Sequence, residues 1–502
     1  MTYKTPGVYV EEISKLPPSV AQVETAIPAF IGYTKNSNYK GITLAAKPKR
    51  IKSLADFVEI FGAASPAMIH TGSDDGIKIK KENGEFKLNS ALADPFLSLN
   101  YRMYYSLQLY FGNGGGPCYI VSCGAYKDDK NSAFSDDEMT TAMTNALKAL
   151  KKEDEPTMIL FTDAVSISEP AKYYGLCTSA LSQCADLMDR VVIIDLLHLD
   201  PTAVVEQKAT DVAFLDLGKD LTGFRNRIGI NSLSYGAAYY PWLRTSLDYF
   251  IDESAIKILP LGTDIPADTV LRKNPAEGKT TPTDDDAKKS LYHAQSSIYA
   301  MIKKEISKFQ VISPPSPAIA GVYAMVDSTR GVWKAPANVS LNYVKEPAFK
   351  IDDEDQRDMN VTATGKSVNA IRTFTGKGVL VWGARTLAGN DNEWRYISVR
   401  RFYNMVEESV KKATEPFVFE PNDANTWVKV RAMIENFLIL QWRQGALMGA
   451  KPEEAFFVHV GLGETMTALD ILEGRMIIEI GMAVVRPAEF IILRFSHKMV
   501  VS

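Results

Sequence analysis

The sequence has little cysteine and little histidine, and both shortages argue against common kinds of site. Four cysteines in 502 residues are too few for a disulfide scaffold and suit folding in a reducing compartment. Their spacings, C-x4-C and C-x6-C, have no neighbouring histidine to complete a zinc site. The five histidines form no metal-spaced pair. We therefore expect buried thiols, no metal and no other cofactor.

The sequence also lacks a long apolar run and a strong net charge. The longest apolar runs, Val191–Leu197 and Met476–Val485, are too short or too charged to span a bilayer. The N-terminus has no basic region followed by an apolar stretch, so no signal peptide is expected. A formal net charge of −4 gives no reason to expect nucleic acid or an acidic membrane as a partner. We expect neither nucleic-acid binding nor direct membrane insertion.

No catalytic pattern stands out from the background. No serine lies in a G-x-S-x-G turn, and acidic pairs such as Asp352-Asp353 lie in polar segments. Thr364–Ser367 resembles the end of a phosphate-binding loop, but Asn360 stands where that motif needs a glycine. Gly112–Gly116 follows a predicted helix, which indicates a helix stop rather than a dinucleotide site. We expect no enzyme; the alternative hypothesis is a nucleotide-binding enzyme built on the middle of the chain.

Strand and helix patterns alternate through the middle of the chain. Such alternation predicts a parallel or mixed α/β sheet, and the length predicts two to four domains. Asn83-Gly84 predicts a hairpin between Ile77–Lys81 and Glu85–Leu88. Strands are predicted at 26–33, 118–122, 157–161, 190–196 and 228–240, and helices at 51–61, 91–112, 137–151, 169–188, 202–217 and 287–310.

Both chain ends carry a strand pattern without a local partner. Val8–Val10 lies between Pro6 and Pro17-Pro18, and Glu489–Val501 closes the chain. A lone strand cannot satisfy its own backbone hydrogen bonds, so each must pair with a distant segment or another chain. Residues 333–360 are rich in proline and polar side chains and are predicted to link two bodies. Beyond them we predict helices at 400–412 and 426–447, and strands near residue 380 and at 417–419.

Ten short motifs, in order along nearly the whole chain, resemble those of contractile phage tail sheath proteins. That family includes phage tails, R-type pyocins and extracellular contractile injection systems, and the motifs do not separate these groups. The motifs are Thr5–Glu12, Pro28–Gly32, Ala237–Trp242, Gly321–Tyr323, Gly331–Asn338, Val368–Arg372, Val381–Leu387, Tyr396–Arg401, Phe419–Asn422 and Pro487–Phe490.

The resemblance implies an α/β (mixed α+β) chain whose two ends build an inner sheath domain, with a large α/β outer domain inserted between them. The expected parts are a linking arm at 1–22, an inserted region at 23–345 with a hairpin decoration at 63–95, and a C-terminal inner domain at 346–502. The expected function is structural, as a helical lattice of hexameric rings that surrounds an inner tube and contracts to drive it through a target envelope. A tube or baseplate component of the same machine is the alternative.

The resemblance also implies partners and a location. The partners are further copies of the chain, an inner tube protein, and baseplate and terminal cap proteins. Assembly is expected in the cytoplasm of the producing bacterium, followed by incorporation into a virion or an extracellular tail-like particle.

Three groups of residues are predicted to matter, and none of them is catalytic or binds a cofactor or a metal. Inter-subunit linking strands are predicted at Tyr3, Val8, Tyr9, Val10, Phe490, Ile491, Ile492, Leu493 and Phe495. Contact with the inner tube is predicted for Lys429, Arg431 and Arg443, with simple exposure to solvent as the competing interpretation. A structural signature of the inner domain is predicted at Trp382, Arg385, Arg400, Arg401, Glu420 and Glu489. Of these, Arg385 is expected to bind carboxylates or backbone carbonyls at a subunit contact.

Overall fold

The chain divides into two compact units. A computed structural model describes residues 20–69, 76–82, 85–89, 92, 97–127, 134–197, 217–261, 265, 266, 268–273 and 283–494. The larger unit is Glu24–Phe402, and the smaller unit combines Met1–Val23 with Tyr403–Ser502. The division on the C-terminal side falls within one helix, Ile397–Thr414.

The described strands are mostly short. They are β1 (Pro28–Thr34), β2 (Asn38–Tyr39), β3 (Ile42–Thr43), β4 (Lys49–Ile51), β5 (Met68–Ile69), β6 (Ile77–Glu82), β7 (Glu85–Leu88), β8 (Leu97–Ser98), β9 (Cys118–Ala125), β10 (Met158–Phe161), β11 (Val191–Asp195), β12 (Gly236–Tyr240), β13 (Leu243–Asp248), β14 (Ile258–Leu261), β15 (Gln310–Ser313), β16 (Val339–Ser340), β17 (Val344–Pro347), β18 (Val368–Phe374), β19 (Gly378–Val381), β20 (Phe456–His459) and β21 (Glu479–Met482).

The described helices include several of four or more turns. They are α1 (Leu54–Phe61), α2 (Met103–Gly112), α3 (Asp136–Leu150), α4 (Pro170–Leu187), α5 (Leu217–Arg227), α6 (Asp284–Lys288), α7 (Leu291–Ala294), α8 (Ser296–Ile306), α9 (Ser316–Arg330), α10 (Asp353–Asn360), α11 (Ile397–Thr414), α12 (Ala424–Arg443), α13 (Pro452–Ala455) and α14 (Ala468–Leu472).

A nine-stranded sheet organises the larger unit. Its strand order is β16-β19-β18-β12-β11-β10-β1-β9-β4. The six strands from β18 to β9 run parallel to one another. β19 and β4 run antiparallel to them at the two sides, and β16 pairs in antiparallel fashion with β19. Parallel strands need crossover connections, which the helices between them supply. The mixed α/β fold predicted from the sequence is confirmed.

The central strands are buried on both faces, which explains why they lack an alternating polar pattern. In β1, Ile31 packs into a core on one face of the sheet and Phe30 into a core on the other. Ile159 and Leu160 of β10 divide in the same way. Helices α3, α4 and α5 cover the first face, and α1, α2 and α9 cover the second. The sheet is therefore an interior layer without a free face at its centre.

A second, smaller core lies under the region predicted as a decoration. The predicted hairpin is present as β6 and β7, and β14 pairs in parallel with β6. Its turn, Asn83-Gly84, lies outside the described residues. Apolar side chains from residues 67–97 and 256–306 share this core, so two distant segments build one elaboration.

Several local predictions are confirmed and others are wrong. The predicted helix at 51–61 is present as α1, which Ser53 caps, since its hydroxyl accepts the N–H of Asp56 at 3.2 Å. The glycine run after α2 is a helix stop, with Gly114 at φ 97°. The strand predicted at 417–419 is wrong, because Glu415–Phe417 is a turn of 3-10 helix that contains Pro416. Most of the helix predicted at 202–217 lies outside the described residues.

The break between the units differs from the predicted domain limit. Residues 346–502 were expected to form one domain, but β18 and β19 belong to the main sheet of the larger unit. Val368–Ala370 is buried against β12, and a buried strand of this kind is stabilised by the sheet it joins. Residues 20–23 group with the C-terminal part, where the N–H of Val23 donates to Ser409 at 3.1 Å. The assignment of inner and outer domains stays a prediction.

A buried ion pair fixes three distant points of the larger unit. The Arg401 guanidinium pairs with Asp327 of α9 and donates to the carbonyl of Thr25 at 2.9 Å. The Thr25 hydroxyl also donates to Asp327, at 2.5 Å. Arg401 lies over the ring of Tyr323, 4.5 Å from its centroid. The residues at the two ends of the larger unit are thus joined to one central helix.

A buried carboxyl group lies at the N-terminus of α9. Asp195 is the last residue of β11, and its two oxygens accept the N–H of Ser316 at 2.8 Å and the Ser316 hydroxyl at 2.6 Å. Burial raises the pKa of Asp195 to about 7, although both hydrogen bonds oppose the shift. The folded protein therefore binds a proton here more tightly than the unfolded chain does.

We predict that Asp327→Ala lowers the free energy of unfolding by about 3–5 kcal/mol, because it leaves the Arg401 charge buried without its partner. The double variant Asp327→Leu with Arg401→Met should cost much less, since no charge remains. The matched control is Asp353→Ala, which breaks an ion pair with Arg372 in which Asp353 is largely exposed and should cost at most about 1 kcal/mol. Denaturant unfolding of the monomer measures all three, and equal losses for Asp327→Ala and Asp353→Ala would contradict the prediction.

We predict that Asp195→Asn stabilises the protein at pH 8 and has little effect at pH 4. Because the folded-state pKa lies above the unfolded value, the wild type loses stability as the pH rises from about 4 to 7. Asparagine stays neutral, can still accept from the Ser316 N–H, and avoids that loss. The difference in melting temperature, roughly a few degrees, should grow with pH. An exposed substitution, Asp284→Asn, is the control, and a difference that does not change with pH would refute the assignment.

Candidate assembly interface

The described part of the C-terminal segment exposes four consecutive apolar side chains. Phe490, Ile491, Ile492 and Leu493 are 68–81% exposed, and residues 485–494 form no strand or helix. Apolar side chains placed together in water favour burial against a partner. Tyr3, Val8, Tyr9, Val10 and Phe495, the other predicted linking residues, lie outside the described residues.

A two-stranded sheet lies in the same unit. β20 and β21 pair in antiparallel fashion from Phe456↔Met482 to His459↔Glu479. Within the described residues, no third strand joins either edge. The Phe457 ring covers Gly481, where a Cβ atom would collide with it. Two strands alone are marginally stable, and their open edges can accept further strands.

The basic residues predicted to contact a tube do not share one environment. Lys429 and Arg443 are exposed on one side of α12, because the residues between them make about four helical turns. Arg431 is held within the chain, since it donates to Glu464 at 2.7 Å and to the carbonyl of Val460 at 3.2 Å. The structure therefore brings Lys429 and Arg443 onto one surface and separates Arg431 from them.

The predicted signature residues divide into buried and exposed members. Arg385 is buried and donates to the carbonyl of Asn360 at 3.1 Å, so its side chain binds a backbone carbonyl, while its predicted place at a subunit contact stays a prediction. Arg400 is also buried, and stacks over Trp394 with its guanidinium carbon 4.1 Å from the ring centroid. Arg401 belongs to the buried ion pair described above. Half-buried Trp382 packs on Phe374, whereas Glu420 is exposed and Glu489 is half-buried.

In the segment that resembles a phosphate-binding loop, the side-chain donors are hydrogen-bonded to backbone carbonyls of the same chain. The Lys366 ammonium donates to the carbonyl of Arg225 at 2.5 Å, and the Ser367 hydroxyl to that of Asn360 at 2.6 Å. A strand, β18, follows the segment where a nucleotide site requires a helix. This arrangement gives no support to the nucleotide-binding hypothesis.

Sequence reasoning missed one exposed feature. Phe419 was placed in a strand, but its side chain is 103% exposed and its backbone is left-handed, with φ 72°. A bulky residue in that conformation is uncommon and costs roughly 1–3 kcal/mol. The signal that could have identified it is the pair of prolines, Pro416 and Pro421, which disfavour a strand across 416–421.

The described residues carry few signs of other kinds of site. Over the described residues, no group of histidine, cysteine, aspartate and glutamate is arranged to hold a metal ion. None of the helices in the described ranges is long and apolar enough to cross a membrane. Cys118, Cys177 and Cys184 are buried and Cys123 is partly buried, as expected for structural thiols.

Comparison with curated proteins and families finds tail sheath proteins. The family model of the phage tail sheath C-terminal domain matches residues 389–498. The tail sheath protein of Enterobacteria phage T4 is 24% identical over 150 residues, which are 28% of this chain and 23% of that protein. The match thus spans less than a quarter of that curated relative.

Comparison with solved structures extends over the whole chain. The contracted helical sheath of the anti-feeding prophage is 30% identical, with 99% of this chain and 100% of that chain covered and a TM-score of 0.58. The contracted sheath of PVC, an extracellular contractile injection system, is 27% identical, with 99% of each chain covered and a TM-score of 0.61. This chain therefore belongs to the family of contractile sheath proteins found in phage tails and in tail-like injection systems.

Proposed function

We propose that the chain is the structural subunit of a contractile sheath, which polymerises as stacked hexameric rings around an inner tube and drives that tube through a target envelope when it contracts. The observation that carries the proposal is the full-length likeness to contracted sheath chains, at 30% identity for one of them. The chain acts through assembly rather than through catalysis.

The linking mechanism uses the two chain ends. Residues 3–12 and 489–501 add strands to the open edges of β20 and β21 in neighbouring copies. Strand addition gains main-chain hydrogen bonds without needing a pocket. The exposed Phe490–Leu493 side chains become buried when the strand docks, which favours the joined state. Contacts of this kind join different surfaces of each copy, and such head-to-tail contacts build rings and helices.

Contraction requires two lattices of different free energy. The larger unit, with its main sheet buried on both faces, moves as a nearly rigid body. The linking segments keep neighbouring copies joined while the lattice changes from an extended form to a contracted form with more contacts. The difference between the two sets of interfaces supplies the work, so no nucleotide is needed.

Contact with the tube must be weak enough to break during contraction. Lys429 and Arg443 suit that contact because they are exposed and lie on one side of α12. An exposed ion pair contributes about 0–1 kcal/mol, so several can form and break without trapping the sheath. Arg431 is a poorer candidate because Glu464 already holds it.

Baseplate and terminal cap proteins complete the proposed set of partners. A similar chain belongs to the six-fold symmetrised baseplate of the anti-feeding prophage, which supports both a baseplate contact and hexameric rings. Assembly takes place in the cytoplasm of the producing bacterium, before the particle acts outside it.

Removal of residues 1–16 should abolish ordered sheath and leave a folded monomer. The linking strand is lost, while the apolar cores described above contain no residue of this segment. Negative-stain microscopy of the purified protein shows whether ordered sheath forms. Its circular dichroism spectrum shows whether the monomer is folded. Deletion of residues 490–502 should give the same result. Ordered cylinders from either truncated protein would contradict the proposed linkage, and wild-type protein that never forms cylinders would contradict the function itself.

Reversal of charge at Lys429 and Arg443 should weaken the sheath–tube contact and leave sheath assembly intact. Lys429→Glu combined with Arg443→Glu replaces attraction by repulsion on one side of α12, and the loss should be largest at low salt. Co-sedimentation of assembled tube with the sheath protein measures the contact. Lys377→Glu, on the turn between β18 and β19, is the control with the same kind of charge change. Unchanged tube binding by the double variant would show that Lys429 and Arg443 are simply exposed to solvent and do not contact the tube.

A further inference from the structure

The β4 side of the nine-stranded sheet carries a concentration of positive charge. Arg50 pairs with Glu155, and Lys40 lies over the ring of Tyr39. The other four basic side chains of residues 35–52 form no ion pair with another described residue, and no acidic residue occurs in this segment. These four exposed side chains, called here the lysine surface, are Lys35, Lys47, Lys49 and Lys52.

The last strand of the sheet positions two of these lysines. β4 contains Lys49 and pairs with β9 at the end of the strand order. The N–H of Ala46 donates to the carbonyl of Ser122 in β9 at 2.8 Å, which places Lys47 beside the same strand. A lysine on an edge strand also keeps that strand from pairing with another sheet, which accounts for Lys49 without any partner. The other lysines lie outside β4 and need a different explanation.

Helix α1 brings the other two lysines to the same side. The N–H of Asn36, next to Lys35, donates to the carbonyl of Phe61 at the end of α1 at 2.8 Å. Lys52 precedes Ser53, the residue that caps α1 and follows β4. The segment therefore gathers its positive charge on one side of the larger unit.

The opposite charge is concentrated on α10. Residues 350–360 include five acidic and two basic residues, and Asp352, Asp353 and Glu354 are exposed at the N-terminal end of the helix. Asp352 caps the helix by accepting the N–H of Glu354 at 2.8 Å. Asp353 pairs with Arg372, whereas Glu354 forms no ion pair with another described residue. The helix dipole favours acids at this end, but it leaves their side chains open to a further partner.

The two charged surfaces lie far apart on one body. α10 is fixed to β18, because Arg372 of that strand donates to the carbonyl of Ile351 at 3.1 Å and to Asp353 at 2.7 Å. Six strand spacings of about 4.8 Å separate β18 from β4, which makes about 29 Å across the sheet. Both surfaces belong to the larger unit, so they cannot meet within one chain.

We propose that the lysine surface docks onto the acidic end of α10 in a second copy of this chain. Opposite charges on two sides of one body attract in a head-to-tail order, which builds rings and helices. A net charge of −4 on the whole chain disfavours a nucleic acid as the occupant. The inference rests on the proposed sheath function and adds a charged contact between larger units to the linkage by the chain ends.

A charge-swap series in the full-length protein tests this contact. Lys47→Glu with Lys49→Glu replaces attraction by repulsion, and so does Asp353→Lys with Glu354→Lys. Each pair should raise the protein concentration needed for cylinders roughly tenfold, as measured by sedimentation and microscopy. All four changes in one chain restore opposite charges across the contact and should return that concentration to the wild-type value. A local loss of stability would not be repaired in this way, because the two surfaces are about 29 Å apart.

The matched control changes charge elsewhere on the larger unit. Lys288 of α6 and Lys304 of α8 are exposed and form no ion pair with another described residue. Lys288→Glu with Lys304→Glu should therefore assemble like the wild type. An equal loss of assembly in this control would show that the effect comes from net charge and would overturn the contact.

Cross-linking in wild-type cylinders identifies the occupant. A carbodiimide joins a lysine amine directly to a carboxylate that touches it, so no spacer extends its reach. Mass spectrometry should find an amide between Lys47 or Lys49 and Asp353 or Glu354. Such a bond must join two copies, because the same groups lie about 29 Å apart within one chain.

The outcomes separate this contact from the sheath function. If the reversed pairs assemble normally, if the four changes together fail to restore assembly, or if cylinders give no such cross-link, the contact is wrong while the sheath function stands. If the wild type forms no cylinders, both are wrong. Reversed pairs that form normal cylinders but no longer retain the inner tube would assign the lysine surface to the tube and overturn the second copy as its occupant.

Discussion

The buried pair of Arg401 and Asp327 is the constraint on which the larger unit depends. It joins Thr25, near the first residue of that unit, to Arg401, next to its last residue, through the central helix α9. Because both charges are buried, neither can be lost alone without leaving the other unpaired. The unit therefore has fixed ends as well as a fixed core, which suits a body that moves without deforming.

The two units use their apolar residues differently. In the larger unit, the strands are buried on both faces, and the polar groups of the loop that resembles a nucleotide site are satisfied inside the fold. In the smaller unit, apolar side chains from Val418 to Leu493 remain exposed, and a two-stranded sheet keeps open edges within the described residues. The larger unit exposes some apolar side chains as well, such as Ile230, but four consecutive ones, from Phe490 to Leu493, lie in the smaller unit.

The parts that sequence predicted well depend on local patterns. Continuous apolar runs such as Pro28–Thr34 and Val191–Asp195 predict strands because burial on both faces leaves no polar positions. The Arg401 pair could not be predicted, since its partners lie 74 and 376 residues away along the chain. Phe417–Phe419 was wrongly predicted as a strand because its residues favour strands, whereas the two flanking prolines impose turns. The terminal strands were predicted from the lack of a local partner, and their docking partners stay a prediction.

The free energies of burial and of ion pairing explain why the proposed linkage between copies and the proposed tube contact need different chemistry. Burial of one large apolar side chain contributes about 1.5–3 kcal/mol, so the four from Phe490 to Leu493 could contribute up to about 6–12 kcal/mol per copy. Ordering the same residues costs about 1–2 kcal/mol each for the backbone, which offsets a large part of that gain. At the favourable end of these ranges the remainder, together with main-chain hydrogen bonds, exceeds the contribution of an exposed ion pair, which is at most about 1 kcal/mol. Under the proposed function, a lattice joined by apolar strands therefore stays intact while charged tube contacts, proposed at Lys429 and Arg443, break.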